Sequence, residues 1–132
     1  MGKSILAVFL GFVLGIVLIV VVEALGHFVY PPPANLDITN PEEVKNLMAN
    51  APVGALLFVV LAYAVGSFGG GGLAARLVQK SHILHAMIVG GLLMVAGIMN
   101  MFMIPHPFWF WIISVAVYLP AAYAGARFAH RR

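Results

Sequence analysis

Four polar residues fall at matching depths of hydrophobic segments and could form a chemical site: Glu23, His27, Asn100 and His106. On a helix, Glu23 and His27 would lie one turn apart on nearly the same face. Counting about 1.5 Å per residue from the segment ends puts Glu23 and Asn100 at similar depth, with His106 in a nearby turn. An ionisable side chain inside a bilayer costs roughly 2.5 kcal/mol or more, so Glu23 needs a partner or a purpose.

Three interpretations of this candidate polar or ion site stay open. In the first, Glu23 forms a hydrogen bond with Asn100 or His27 and fixes the register of the helices. In the second, Glu23 titrates during proton or ion transport. In the third, Glu23, His27 and His106 bind a divalent metal, but no supporting partner for such ligands can be named, and we assign no metal ligands.

The sequence contains no pattern that indicates an enzyme or a cofactor. It has no cysteine, no paired nucleophile and base, and no cofactor motif. The glycine run 69–72 resembles a phosphate-binding loop only superficially, because no Gly-Lys-Ser/Thr follows it and no strand precedes it. We therefore predict no catalytic residues, no cofactor and a role other than catalysis.

The hydrophobic composition of the chain indicates that these polar residues lie on membrane-spanning helices. Of the 132 residues, 63% are hydrophobic and only 8% are charged, far below the roughly 25% that is usual for soluble domains. Residues 5–22 form an unbroken apolar run of the length that spans a bilayer. We predict a single all-α transmembrane domain covering residues 1–132, an antiparallel four-helix bundle with a short helix in its outer loop; the spans are 5–30, 53–77, 83–104 and 108–128, and the outer loop is 31–52.

Several glycines have the spacing of helix-packing positions. Gly66 and Gly70 share one face of the second span, and Gly90 and Gly97 share one face of the third. Gly125 forms a small-residue pair with Ala121 in the fourth span. Small residues let helix backbones approach closely in membranes, so we predict that these glycines lie at helix contacts.

The net charge of +3 follows the membrane topology rather than indicating nucleic-acid binding. Lys3, Arg76 and Lys80 and the C-terminal arginines flank spans that meet at one side, whereas Lys45 stands alone in the outer loop. The positive-inside rule then places both termini in the cytoplasm. We expect a structural or accessory protein of the inner membrane, in contact with lipid and with a second copy or a larger membrane protein; the alternative is an oligomeric transporter or channel for a small solute, proton or ion.

Three short stretches resemble a family of uncharacterised small bacterial membrane proteins. They are Tyr-Pro-Pro-Pro at 30–33 leading to Asp37, Leu-Ala-Tyr-Ala-Val-Gly at 61–66 leading to Gly-Leu-Ala-Ala at 72–75, and Ile-Pro-His-Pro-Phe-Trp-Phe at 104–110. The resemblance implies a four-span protein of the bacterial inner membrane. It implies no activity and no site residues.

Overall fold

The computed structural model describes residues 2–31, 39–50, 52–103 and 107–130. Within these ranges the chain forms helices and no strand. Four of the helices are long and apolar enough to cross a membrane, which confirms the predicted all-helical membrane fold. The helices, numbered in chain order, are α1 (Gly2–Val29), α2 (Pro41–Ala49), α3 (Val53–Leu77), α4 (His82–Met103) and α5 (Phe108–His130).

The short helix α2 begins with a side-chain cap. The Asn40 side-chain Oδ1 accepts a hydrogen bond from the Glu42 backbone N–H at 3.0 Å, and Pro41 occupies the first helical position. Such a cap satisfies one of the backbone donors that a helix start leaves unpaired. Among the described residues, α2 makes no packing contact with the other helices.

The turn between α3 and α4 is short and sharp. Helix α3 ends at Leu77, Val78 is extended, and Ser81 has a φ of 57°, in the left-handed region. The carbonyl oxygen of Ser81 lies 2.8 Å from Nδ1 of His85, one turn into α4. This turn reverses the chain, so α3 and α4 run in opposite directions.

The four spans alternate in direction, but chain neighbours are not always side by side. Helix α3 contacts α1, α4 and α5, and α4 contacts α1 and α5, whereas α1 and α5 do not touch within the described part of the chain. The order around the bundle is therefore α1, α3, α5, α4, with α3 and α4 meeting across the middle. We call the end with Val29, Val53, Met103 and Phe108 the loop end, and the opposite end the termini end.

Glycines bring α1 and α3 into close antiparallel contact. A Cβ atom placed on Gly11 would lie 2.5 Å from the carbonyl oxygen of Gly70, and one placed on Gly66 would lie 2.7 Å from that of Gly15. Real Cβ atoms do not approach backbone this closely. The seam therefore requires glycine at these positions, where the two backbones themselves form the contact.

Helix α5 packs against α3 and α4 through similarly small residues. A Cβ atom on Gly71 would lie 3.0 Å from the Cα of Ala122, and one on Gly90 would lie 2.8 Å from the Ala122 side chain. A Cβ on Gly125 would meet the carbonyl oxygen of Phe68. Helix α5 continues through Pro120, so the proline does not end it.

Candidate functional site

Two stacked tyrosines lie at the centre of the bundle. The rings of Tyr63 in α3 and Tyr118 in α5 are 5.0 Å apart at their centroids and inclined by 27°. Phe110 packs at 6.3 Å from the Tyr63 ring, and both tyrosines belong to the main hydrophobic core. The Tyr118 hydroxyl occupies the place that a Cβ atom on Gly97 would take, so this glycine accommodates the phenol.

Four hydroxyl groups in this region are buried without a partner. Tyr118, Ser67 and Ser114 are 0% exposed and Tyr63 is 3% exposed. Within the described part of the chain, none of their oxygens has a hydrogen-bond partner. A buried polar group left in this state costs roughly 1–3 kcal/mol, and native proteins rarely tolerate one. Four such hydroxyl groups together make the contact between α3 and α5, which we call the α3–α5 seam, unusual.

Glu23 and Asn100 lie beside the tyrosine pair. Glu23 in α1 is half-buried and acts electrostatically on the hydroxyls of both Tyr63 and Tyr118, while the Asn100 amide in α4 faces the Tyr63 hydroxyl. Asn100 is itself exposed. Each membrane-spanning helix thus contributes one polar side chain to a single region near the loop end. We call Glu23, Tyr63, Asn100 and Tyr118 the four-helix polar cluster.

The structure brings only part of the predicted polar site together. Glu23 and Asn100 both approach Tyr63, but among the described residues no hydrogen bond joins them directly. His27 is exposed and interacts electrostatically with Glu23 from one turn away. His106 lies outside the described residues, and among the residues that are described no three His, Cys, Asp or Glu side chains come close enough to bind a metal.

Each glycine predicted to pack lies at a helix contact. Gly66 and Gly70 face α1, whereas Gly90, Gly97 and Gly125 lie at contacts of α5 with α4 and α3. Two methionines on the same face of α4 as Gly90 and Gly97 also point toward the bundle interior. Met101 is buried, and Met94 packs against the core.

Sequence reasoning overlooked two parts of this arrangement. Gly11 and Gly15 were hidden inside the most hydrophobic segment, although their four-residue spacing, extended by Ala7, is a recognised packing pattern. Ser114 was also missed. It precedes Tyr118 by four residues, just as Tyr63 precedes Ser67, so a hydroxyl-to-hydroxyl spacing of one turn was present on both helices.

Chemically, the cluster offers one carboxylate, one amide and two phenols, which can exchange hydrogen bonds or hold a proton. Four apolar spans around such a core define a multi-pass α-helical membrane protein. Comparisons with family models, curated proteins and solved structures found no match to this chain.

Proposed function

We propose that the protein is a structural or accessory component of the bacterial inner membrane that binds other membrane proteins. The observation that carries this proposal is the packing of the termini half of the bundle. There Gly11 meets Gly70 and Ala122 meets both Gly71 and Gly90. Such close contacts favour a rigid, closed bundle, because a conduit would need polar or open space through this half.

Helix α1 offers the surface that a partner would use. Its buried residues are confined to Ala7, Gly11, Gly15 and Gly26, so it is attached along one narrow stripe. Large side chains cover the rest of it, including Phe9, Val17 and Val20, each at least half exposed. In the membrane this face meets either lipid or the helices of a partner, which is a second copy of this chain or a larger membrane protein.

The distribution of charge supports a bacterial inner-membrane location with cytoplasmic termini. Lys3, Arg76, Lys80 and Arg127 lie at the termini end, and Lys45 in α2 is on the loop side. Basic residues favour the cytoplasmic side of the inner membrane. The sequence resemblance to small bacterial four-span proteins points to the same location.

Photo-crosslinking in intact cells tests the partner role. A photoreactive amino acid at Val17, on the exposed face of α1, should give a crosslinked product heavier than the 14.1 kDa chain. The matched control is the same amino acid at Ile112, which is exposed on α5. Two results together would contradict the proposal. Both positions would crosslink only to lipid and to the same extent, and native mass measurement after gentle extraction would show a monomer without companions.

The four-helix polar cluster favours one alternative, a proton or ion transporter that uses Glu23. A carboxylate whose charge acts on hydroxyl groups of α3 and α5 could respond to helix movements and change its protonation state. A chain of this size would need to oligomerise to line a path. Flux of protons or common cations into reconstituted vesicles that Glu23→Gln abolishes, without loss of thermal stability, would establish this alternative.

A further inference from the structure

The buried hydroxyls form a line along the α3–α5 seam. These two helices run in the same direction, and Tyr63 and Tyr118 stack at the same level. Ser114 lies one turn from this pair toward the loop end, and Ser67 lies one turn toward the termini end. The line therefore extends over about 12 Å, from the loop half of the bundle to near its middle.

The hydroxyl line, including Ser114 at its loop-side end, is buried, whereas two members of the four-helix polar cluster that lie nearer the loop end are less buried. Ser67 and Tyr118 are fully buried, Glu23 is half-buried, and Asn100 is exposed three residues before α4 ends. A buried water molecule typically makes about three hydrogen bonds to polar groups. The two stacked phenols, the Asn100 amide beside Tyr63 and the Glu23 carboxylate on α1 supply donors and acceptors of this kind in the loop half of the bundle.

We propose that the α3–α5 hydroxyl line and the four-helix polar cluster form a hydrated site that is filled with water from the loop side and closed toward the termini. Water fits this chemistry, because each hydroxyl can both donate and accept a hydrogen bond, and within the described residues none of the four oxygens has a protein partner at hydrogen-bonding geometry. The site does not depend on the accessory role, since a static bundle and a transporter could both contain it.

The closure follows from the residues beyond Ser67. Within the described ranges, every buried residue nearer the termini end than Ser67 is glycine, alanine or valine. Ala75, Ala86 and Ala126 form a compact cluster there, and a Cβ atom on Gly71 would lie 3.0 Å from the backbone of Ala122. Among the described residues of this half, no hydroxyl or amide side chain is buried and able to hold water, so the hydrated line ends near Ser67.

Silver ions test this site because they are small, carry charge and react with thiols. The natural chain has no cysteine, so Ser114→Cys and Ser67→Cys each introduce a single, nearly isosteric thiol. In sealed vesicles, Ag⁺ added on the loop side should protect both thiols from a maleimide applied after denaturation. Ile113→Cys and Phe68→Cys are the matched controls. Ile113 and Phe68 are next to Ser114 and Ser67 in the sequence, but their own side chains face outward.

We expect protection at Ser114→Cys and Ser67→Cys to be at least roughly tenfold faster than at the controls, because a thiol in apolar surroundings is rarely ionised. Asn46→Cys and Gln79→Cys report which face of the vesicle is the loop side. Rates no faster than those of the lipid-facing controls would overturn the proposal. Equal protection when Ag⁺ is added on the side of Gln79 would overturn the closure.

The thermal stability of Tyr118→Phe gives an independent test that does not need the cysteine variants to fold. If water satisfies the hydroxyl, its removal costs hydrogen bonds, and Tm should fall. If the hydroxyl is dry and unpaired, its removal relieves a buried polar group, and Tm should rise. Val117→Ala, a half-buried neighbour, shows the effect of lost packing alone. A higher Tm for Tyr118→Phe would overturn the proposal.

Discussion

Glu23 is the only carboxylate in the four membrane-spanning helices, and its position explains how a bilayer could tolerate it. It is half-buried and lies about 9 Å from the loop end of α1, rather than at the centre of the hydrocarbon. Near the interface, hydration and hydrogen bonding lower the cost of such a group. The residue therefore fits a structural role as readily as a titrating one.

The two roles predict different responses to substitution at Glu23. If it fixes the helices by hydrogen bonding, Glu23→Gln should change the free energy of unfolding by less than about 0.5 kcal/mol, because the amide keeps the shape and the acceptor. Glu23→Leu should destabilise by roughly 0.6–2 kcal/mol, the range of polar helix contacts in membranes. Unfolding equilibria in bicelles would measure both values.

His27→Gln is the control for the Glu23 experiment. His27 is exposed and interacts with Glu23 only electrostatically, so its substitution should have little effect on unfolding. If Glu23→Gln and His27→Gln both unfolded the protein, the charged pair itself would hold the loop end together, and the hydrogen-bonding role would be wrong.

At the scale of single residues, the sequence indicates the depth of a polar side chain in the membrane but not its neighbours. Glu23 and Asn100 were placed at a common depth by counting along two helices. Their shared neighbour, Tyr63, could not be identified in this way, because counting gives the depth of a side chain but not the direction in which its helix is rotated. That rotation depends on the packing of small residues such as Gly66 and Gly97 against other helices.

Among the helices, the α1–α3 pair depends most on the absence of side chains. A Cβ atom on Gly70 would meet the carbonyl oxygen of Gly11 and would lie 3.2 Å from the Cα of Gly15. The obstructing atoms are backbone, so no side-chain rotation can relieve the overlap. The two helices would have to separate.

Gly70→Ala should therefore destabilise the bundle by about 1–3 kcal/mol, the usual cost of overpacking a close contact. Gly91→Ala is the matched control, since a Cβ atom on Gly91 has nothing within 4 Å. It should leave the free energy of unfolding nearly unchanged. Equal effects of the two substitutions would mean that helix propensity, and not the α1–α3 contact, determines the response to alanine.

The lengths of the elements followed from hydrophobicity, whereas their neighbours did not. Apolar runs between prolines and charged turns predicted the spans to within a few residues, as at Val53–Leu77. The order around the bundle, in which α3 and α4 meet across the middle and α1 avoids α5, has no equivalent pattern in the sequence. Lipid-facing and helix-facing surfaces are both apolar, so only small-residue spacing indicates contacts.

For the whole molecule, the orientation in the membrane is the most direct prediction. Asn46 lies in α2 on the loop side, and Gln79 lies in the turn at the termini end; both are exposed. In intact cells, an impermeant maleimide should label Asn46→Cys and spare Gln79→Cys, because basic residues keep the termini end in the cytoplasm. Permeabilised cells should show labelling at both positions. The reverse pattern in intact cells would mean that the bundle is inverted.

The four spans differ in hydrophobicity, and this difference affects how the protein enters the membrane during synthesis. Helix α1 is the most hydrophobic span and α5 the least, and α5 contains Ser114, Tyr118 and Pro120. During synthesis α1 can enter the lipid without help, since its polar side chains lie near its two ends, at Lys3, Ser4, Glu23 and His27. Helix α5 emerges after the other three spans and must shield its hydroxyl face against α3, which is already in the membrane. Its entry into the bilayer and its docking are therefore expected to be a single event, so that the bundle can close only after α5 has been synthesised.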